Sequence, residues 1–94
     1  MASVYVPSLM QQLTGGQQQI VVSGATVRQI VNSLEEKFPG IKGRLVDGNR
    51  IKPNISVAVD GEITPLGMLE KVGEESEVHF LPAIGGGGPL EQDR

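Results

Sequence analysis

The residues with the clearest chemical use lie near the end of the chain, where an apolar segment, residues 78–84, runs into consecutive glycines. They are Gly85, Gly86, Gly87 and Gly88. Because glycine has no Cβ, it adopts backbone angles closed to other residues and approaches another backbone closely. This run predicts a thin, mobile arm, of which three glycines reach about 10 Å when extended. Such an arm can carry a terminal carboxylate into a narrow active site of another protein.

Residues typical of independent catalysis are sparse. His79 is the single histidine and the chain has no cysteine, so the sequence offers neither a Ser-His-Asp triad nor a histidine-rich metal site, and no disulfide is possible. Gly15 and Gly16 lack the Lys-Ser/Thr pair that a phosphate-binding loop requires. An enzyme acting alone is therefore the least favoured class, and no cofactor is predicted.

Length and composition predict one small domain. The 94 residues are 38% hydrophobic but contain no Trp, one Tyr and two Phe, so the core must be built from Val, Ile and Leu. Apolar runs are shorter than the roughly 18 residues of a membrane span, and no signal-peptide pattern opens the sequence. We therefore expect a soluble, cytoplasmic protein.

Charge argues against nucleic acid and favours protein partners. The net charge is −3, and the eight Lys and Arg residues form no stripe. Four lysines are interpreted as solubilising: Lys37, Lys42, Lys52 and Lys71. Four carboxylates gather near the end: Glu70, Glu74, Glu75 and Glu77. This group is either a solvated turn or a contact for a basic partner.

Hydrophobic patterning predicts an α+β chain. Strands are expected at residues 3–6, with an extension through Pro7 to Leu9, and at residues 18–22, 55–59 and 77–81. Thr26 and Gln29 match a capping box, and apolar residues at helical spacing follow. These signals predict an amphipathic helix over residues 26–38. Asp60 and Gly61 form a two-residue hairpin signal.

Several short segments carry a resemblance to a known family. They are Thr14-Gly15-Gly16, Ala25-Thr26-Val27, Leu34-Glu35, Gly40-Ile41, Val57-Ala58-Val59-Asp60 and residues 78–84 before the glycines. With them, the chain resembles the ubiquitin-like β-grasp sulfur carriers of the ThiS/MoaD family, over almost its whole length to Gly87. The resemblance implies a β-grasp domain over residues 1–84, with a mixed sheet, one main helix across it and a flexible tail at 85–94. The sequence Leu-Pro-Ala-Ile-Gly-Gly-Gly is especially similar to the branch that supplies sulfur for cysteine biosynthesis.

In that family, an E1-like adenylyltransferase of the ThiF or MoeB type activates the terminal glycine, and a sulfur source converts the acyl-adenylate to a thiocarboxylate. The resemblance thus implies that Gly87 is the adenylation and thiocarboxylate site and that residues 85–87 thread into partners. The implied sulfur acceptor is a PLP-dependent cysteine synthase or another enzyme. The carrier itself is then a protein cosubstrate without catalytic residues.

The family ends on its diglycine, whereas this chain continues through residues 88–94. A peptide-bonded Gly87 has no free carboxylate, so the sequence is interpreted as a proform cut between Gly87 and Gly88. A cut one residue later would precede Pro89, whose tertiary amide makes a poorer site. The resemblance implies a JAMM-type zinc peptidase for this cut.

A docking surface is also predicted. Strand alternation directs Val78 and Phe80 inward and places His79 and Leu81 on the opposite sheet face. Ala58, on a neighbouring strand, completes a patch that Pro82 and Ile84 extend towards the arm. The predicted docking residues are Ala58, His79, Leu81, Pro82 and Ile84. The free carrier is expected to be a monomer.

Three alternatives stay open at this point. The chain is also consistent with a ubiquitin-like modifier that is conjugated to lysines through the same glycine. The sulfur acceptor could instead belong to molybdopterin or thiamine synthesis. A third class is a non-covalent β-grasp interaction module whose tail is never cut.

Overall fold

The computed structural model describes residues 1–82, which form a mixed sheet, a small hairpin and a helix packed on the sheet. In chain order, the elements are β1 (Ala2–Tyr5), a 3₁₀ helix (Ser8–Thr14), β2 (Gln19–Val22), α1 (Val27–Lys37), α2 (Lys42–Leu45), β3 (Val46–Asp47), β4 (Arg50–Ile51), β5 (Ile55–Val59), β6 (Glu62–Ile63), a second 3₁₀ helix (Gly67–Leu69) and β7 (Glu77–Pro82). The sheet has the order β2-β1-β7-β5-β6, and β3 pairs with β4. Strands β1 and β7 are parallel, and the other neighbours are antiparallel. The predicted mixed sheet with one main helix is confirmed.

Helix α1 forms where the capping signal placed it. Thr26 precedes it in extended conformation, and its Oγ1 accepts a hydrogen bond from the Gln29 amide at 3.2 Å. The Gln29 side chain returns one residue earlier than in the standard capping box, and its Oε1 accepts from the Ala25 amide at 2.8 Å. Phe38 ends the helix with its amide bonded to the Leu34 carbonyl. The predicted helix is confirmed with Thr26 and Phe38 as its caps.

The core lies between α1 and the inner face of the sheet. One stripe of the helix is fully buried: Val27, Ile30, Val31 and Leu34. It belongs to one cluster with inward-facing strand residues, among them Val4, Ile20, Val57 and Phe80. The predicted aliphatic core is therefore confirmed. No helix within residues 1–82 combines the length and the apolar character needed to cross a bilayer.

Glu35 joins the end of α1 to the start of α2. Its carboxylate accepts hydrogen bonds from the Gly40 amide at 3.0 Å and from the Lys42 amide at 2.9 Å. These two bonds, the Gly40 bond first, lower the pKa of Glu35 because they favour the charged form. Gly40 has a φ of 103°, which glycine adopts without strain. A single side chain therefore fixes the turn that follows the helix.

The predicted extension of the first strand to Leu9 is wrong. β1 ends at Tyr5, and a 3₁₀ helix begins at Ser8 directly after Pro7. The Met10 amide donates to the Pro7 carbonyl at 2.9 Å, and the Met10 side chain is buried in the core. Pro7 has no amide proton for a strand ladder. The segment therefore gains more from this turn than from continued pairing.

The predicted Asp60-Gly61 hairpin is confirmed, with φ values of 52° and 88° as a type I′ turn requires. Asp60 also holds the start of β7. Its carboxylate accepts from the Ser76 hydroxyl at 2.9 Å and from the Glu77 amide at 3.0 Å. The Asp60 amide donates to the Glu77 carbonyl at 2.8 Å. The turn after β5 thus fixes where the final strand begins.

Candidate docking face and arm exit

Strand β7 lies inside the sheet between β1 and β5 and alternates between the core and the open face. Val78 and Phe80 point inward and are 0% and 1% exposed. His79 and Leu81 point outward; Leu81 is 39% exposed and His79 is half-buried. The predicted alternation is confirmed. Its pairing with β1 extends to His79, and its pairing with β5 extends to Pro82, which is opposite Ile55.

A row of side chains crosses the open face. His79 pairs with Tyr5 on one side and with Ala58 on the other, and Ala58 pairs with Ile63. The rings of Tyr5 and His79 stack with centroids 4.3 Å apart and planes 10° from parallel. The His79 Nε2 lies 3.5 Å from Glu77 Oε1, a contact that is an ion pair only when the imidazole is protonated. Stacking and pairing hold His79 in one orientation on this face.

The structure brings four of the five predicted docking residues to the paired strands β5 and β7. Ala58 faces His79, Leu81 is opposite Ser56, and Pro82 follows at the strand end. Ala58 is only 6% exposed, because its short side chain is covered by its neighbours. The accessible part of the predicted patch is therefore His79, Leu81 and Pro82. The docking role itself stays a prediction.

Sequence reasoning missed the apolar continuation of this face. Ile63, Leu66 and Leu69 are 59%, 55% and 69% exposed. With Ile51, they line an open groove of about 390 Å³ beside β5 and β6. Part of this surface was predictable from the sequence, because the two-residue turn at Asp60-Gly61 places Ile63 opposite Ala58 and hence on the open face. An exposed aliphatic run of this kind is typical of a protein-binding surface.

The arm and its processing site fall outside the described residues. Ile84, the threading residues Gly85 and Gly86, the proposed reaction site Gly87 and its neighbour Gly88 all lie there. So does the predicted boundary between residues 84 and 85. Within residues 1–82, no group of three His, Cys, Asp or Glu side chains could hold a metal ion. The described residues end at Pro82, which is paired with β5 beside a partly apolar sheet face.

Comparison with known proteins decides the family. The model of the ThiS family matches residues 4–87. The chain belongs to the ThiS family. Among curated relatives of this ThiS-family chain, the sulfur carrier protein CysO of Mycobacterium tuberculosis is 28% identical over 90 residues, covering 90% of this chain and 97% of the relative. Small archaeal modifier protein 3 of Haloferax volcanii is 34% identical over 65 residues, covering 67% of this chain and 71% of the relative.

A solved complex gives the same fold. The crystal structure of the Amycolatopsis orientalis BexX/CysO complex contains a chain that superposes with a TM-score of 0.86 at 31% identity, covering 93% of this chain and 100% of that one. The predicted β-grasp is confirmed for this ThiS-family chain. The relatives are sulfur carrier and modifier proteins by name.

Proposed function

We propose that this chain is a sulfur carrier whose C-terminal glycine, Gly87, is exposed by cleavage, adenylated and converted to a thiocarboxylate. The observation that carries this proposal is the family match, which ends at residue 87 and leaves residues 88–94 beyond it. The similarity to CysO sulfur carrier proteins supports the same assignment and favours cysteine biosynthesis as the use of the sulfur.

The chemistry needs little from the carrier. The freed Gly87 carboxylate attacks the α-phosphate of ATP and releases pyrophosphate, which leaves an acyl-adenylate. Sulfide then attacks the acyl carbon and AMP departs, so one carboxylate oxygen is replaced by sulfur. The adenylate is needed because a carboxylate is a poor electrophile. An E1-like adenylyltransferase of the ThiF or MoeB type supplies the catalytic groups.

The fold positions the start of the arm and the surface beside it. Strand β7 is paired with β1 up to His79 and with β5 up to Pro82, and this pairing sets the point from which the arm leaves. At about 3.3–3.6 Å per residue, the five residues after Pro82, ending with Gly87, span up to about 18 Å. The open face with His79, Leu81 and Ile63 is then the surface on which the activating enzyme docks. A JAMM-type zinc peptidase for the 87–88 bond and a PLP-dependent cysteine synthase as acceptor complete the proposed set of partners, in the cytoplasm.

Intact-mass spectrometry tests the proposal. A chain ending at Gly87 is incubated with the activating enzyme of the same cell, ATP and sulfide. We expect an increase of about 16 Da, the mass difference between sulfur and oxygen. The matched controls are a chain ending at Gly85 and the uncut 94-residue chain, neither of which should react. The proposal fails if the Gly87-ended chain gains no mass, or if the uncut chain gains it equally.

A second candidate is a ubiquitin-like modifier, favoured by the 34% identity to small archaeal modifier protein 3. In that function, the activated Gly87 forms an isopeptide bond with a lysine of another protein. Blots of cell extract against an epitope at the N-terminus distinguish the two. Higher-mass adducts that survive reductant, and disappear with a Gly85-ended chain, would support conjugation.

A further inference from the structure

We propose that Arg44 and Lys52 form a cationic rim at the base of the arm. This rim binds carboxylate side chains around the cleft of the enzyme that adenylates the arm. This inference rests on the proposed function and adds to it the chemistry of the partner surface. The proposal gives Lys52 a specific role in place of the solubilising one expected from sequence.

The two cations are eight residues apart in sequence but adjacent in the fold. The Lys52 amide donates to the Leu45 carbonyl at 3.0 Å, next to the β3–β4 pair of Val46 and Ile51. The hairpin therefore places Lys52 beside the last turn of α2, which contains Arg44. Arg44 is exposed and Lys52 is half-buried.

Both side chains lie where the arm begins. Arg44 and Lys52 line a cavity of about 160 Å³ together with Pro82, Ile55, Pro7 and Met10. The Ile55 amide donates to the Lys52 carbonyl at 2.9 Å, and Ile55 is opposite Pro82 in the sheet. The cations are thus linked through the backbone to the final residue of β7. A protein that receives the arm must approach this cavity.

Charge is unevenly placed along β7. At the start of the strand lie Asp60, Glu75 and Glu77, whereas Arg44 and Lys52 lie at its end, about 17 Å away at 3.3 Å per residue. Among residues 1–82, neither cation forms a salt bridge; the one present joins His79 to Glu77. A net-negative protein, at −3, therefore presents positive charge at the end from which the arm leaves. Such an arrangement orients association with an acidic partner surface.

The rim matches the mouth of the partner cleft rather than the reacting phosphate. Gly87 lies five residues beyond Pro82, or up to about 18 Å along an extended arm. Side chains anchored beside Pro82 therefore stay outside the cleft when Gly87 is at ATP. Carboxylates at the cleft entrance are the complementary group. Glu91 and Asp93 of the chain itself are the alternative carboxylates for this rim. The test below distinguishes them from carboxylates of a partner.

Charge reversal provides the first test. In a chain ending at Gly87, which retains every described element, Arg44→Glu with Lys52→Glu is compared with Arg28→Glu with Lys71→Glu. The control also replaces one Arg and one Lys and changes the net charge equally, but at the start of α1 and beside Thr26. We expect kcat/KM for thiocarboxylate formation to fall on the order of tenfold in the rim variant and to change less than twofold in the control. The difference between the two variants should shrink as salt rises to about 0.5 M, because dissolved ions shorten the distance over which charges interact.

The outcomes separate the two proposals. If the unaltered chain gains sulfur and the rim variant reacts as fast as the control, the rim is refuted and the proposed function stands. A defect that does not respond to salt also refutes it. If the unaltered chain gains no sulfur, the proposed function fails and a second measurement decides the rim.

That measurement needs no enzyme. Amide NMR signals of the Gly87-ended chain are followed during addition of a hexaglutamate peptide, with hexaglutamine as control. Saturable shifts at Arg44, Leu45 and Lys52 that disappear in the rim variant support carboxylate binding, and their absence refutes it. If these signals in the uncut chain already match the peptide-bound state, the rim is occupied by residues 88–94 and the partner assignment is wrong.

Discussion

Among single residues, Gly24 shows how tightly the fold constrains the approach to α1. A Cβ at this position would lie 2.9 Å from the Ile30 backbone nitrogen and 3.0 Å from the Ile30 Cδ1. Ile30 is fully buried in the first turns of the helix, so it has little freedom to move. The chain segment before α1 therefore passes so close to the helix that glycine is required there.

We expect Gly24→Ala to lower the free energy of unfolding by about 1–3 kcal/mol, the usual cost of overpacking. Gly43→Ala is the matched control, because Gly43 lies in α2 with open space around its Cβ position. There, alanine should be neutral or stabilising by up to about 1 kcal/mol. Urea denaturation of both variants measures the difference, and equal midpoints would contradict the steric account.

Between elements, Glu35 links α1 to α2 through backbone amides rather than through a salt bridge. Its bonds to the Gly40 and Lys42 amides depend on the charged carboxylate, and they lower its pKa in the folded state. A depressed folded pKa means that the stabilisation is present above the unfolded pKa and is lost as pH falls through the folded one. The link is therefore sensitive to acid.

We expect Glu35→Gln to be less stable than the unaltered chain at pH 7. The difference in Tm should shrink as pH falls below the ordinary glutamate value of about 4.5 and through the lowered pKa of the folded state. Glu36→Gln, on the exposed side of the same helix, is the matched control variant. Thermal unfolding followed by circular dichroism at several pH values measures both. A Tm gap for Glu35→Gln that stays constant down to pH 3 would show that the carboxylate's charge is irrelevant.

For the molecule as a whole, the two faces of the sheet differ in burial and in the side chains that they carry. The inner face belongs to the core cluster under α1, whereas the open face carries Leu81, Ile63 and the stacked pair of Tyr5 and His79. Under the proposed docking role, neighbouring residues of one strand serve different purposes. Substituting them should affect different measurements.

Phe80→Ala should cost about 3–5 kcal/mol of unfolding free energy, since it empties a fully buried site. Leu81→Ser should change stability by less than about 0.5 kcal/mol. In a chain ending at Gly87, it should still lower kcat/KM for thiocarboxylate formation roughly fivefold, which corresponds to about 1 kcal/mol of lost apolar burial. Denaturation and the mass-increment assay, run on the same preparations, measure both quantities. If Leu81→Ser unfolds the protein or leaves the reaction unchanged, the division between faces is wrong.

Features encoded by neighbouring residues were predictable from sequence, and features made by distant residues were not. Thr26 and Gln29 marked the helix start, and Asp60-Gly61 marked the hairpin, because each signal acts within four residues. The 3₁₀ helix at Ser8–Thr14 was missed, since such short turns have no long hydrophobic period and this one depends on burial of Met10. The adjacency of Arg44 and Lys52 was missed because a hairpin and a cavity wall create it.

The parallel pairing of β1 with β7 has a consequence for synthesis. Ser3 is opposite Glu77, so β1 cannot pair with β7 until nearly the whole chain has been synthesised. On the ribosome, residues emerge in order at about 5–20 per second, and long-range pairing of this kind is slow to form. A nascent chain that stops short of β7 lacks the central strand of its sheet. Any molecule with a finished sheet has therefore already been translated at least to Pro82, so products that stop before β7 differ in shape from the finished fold.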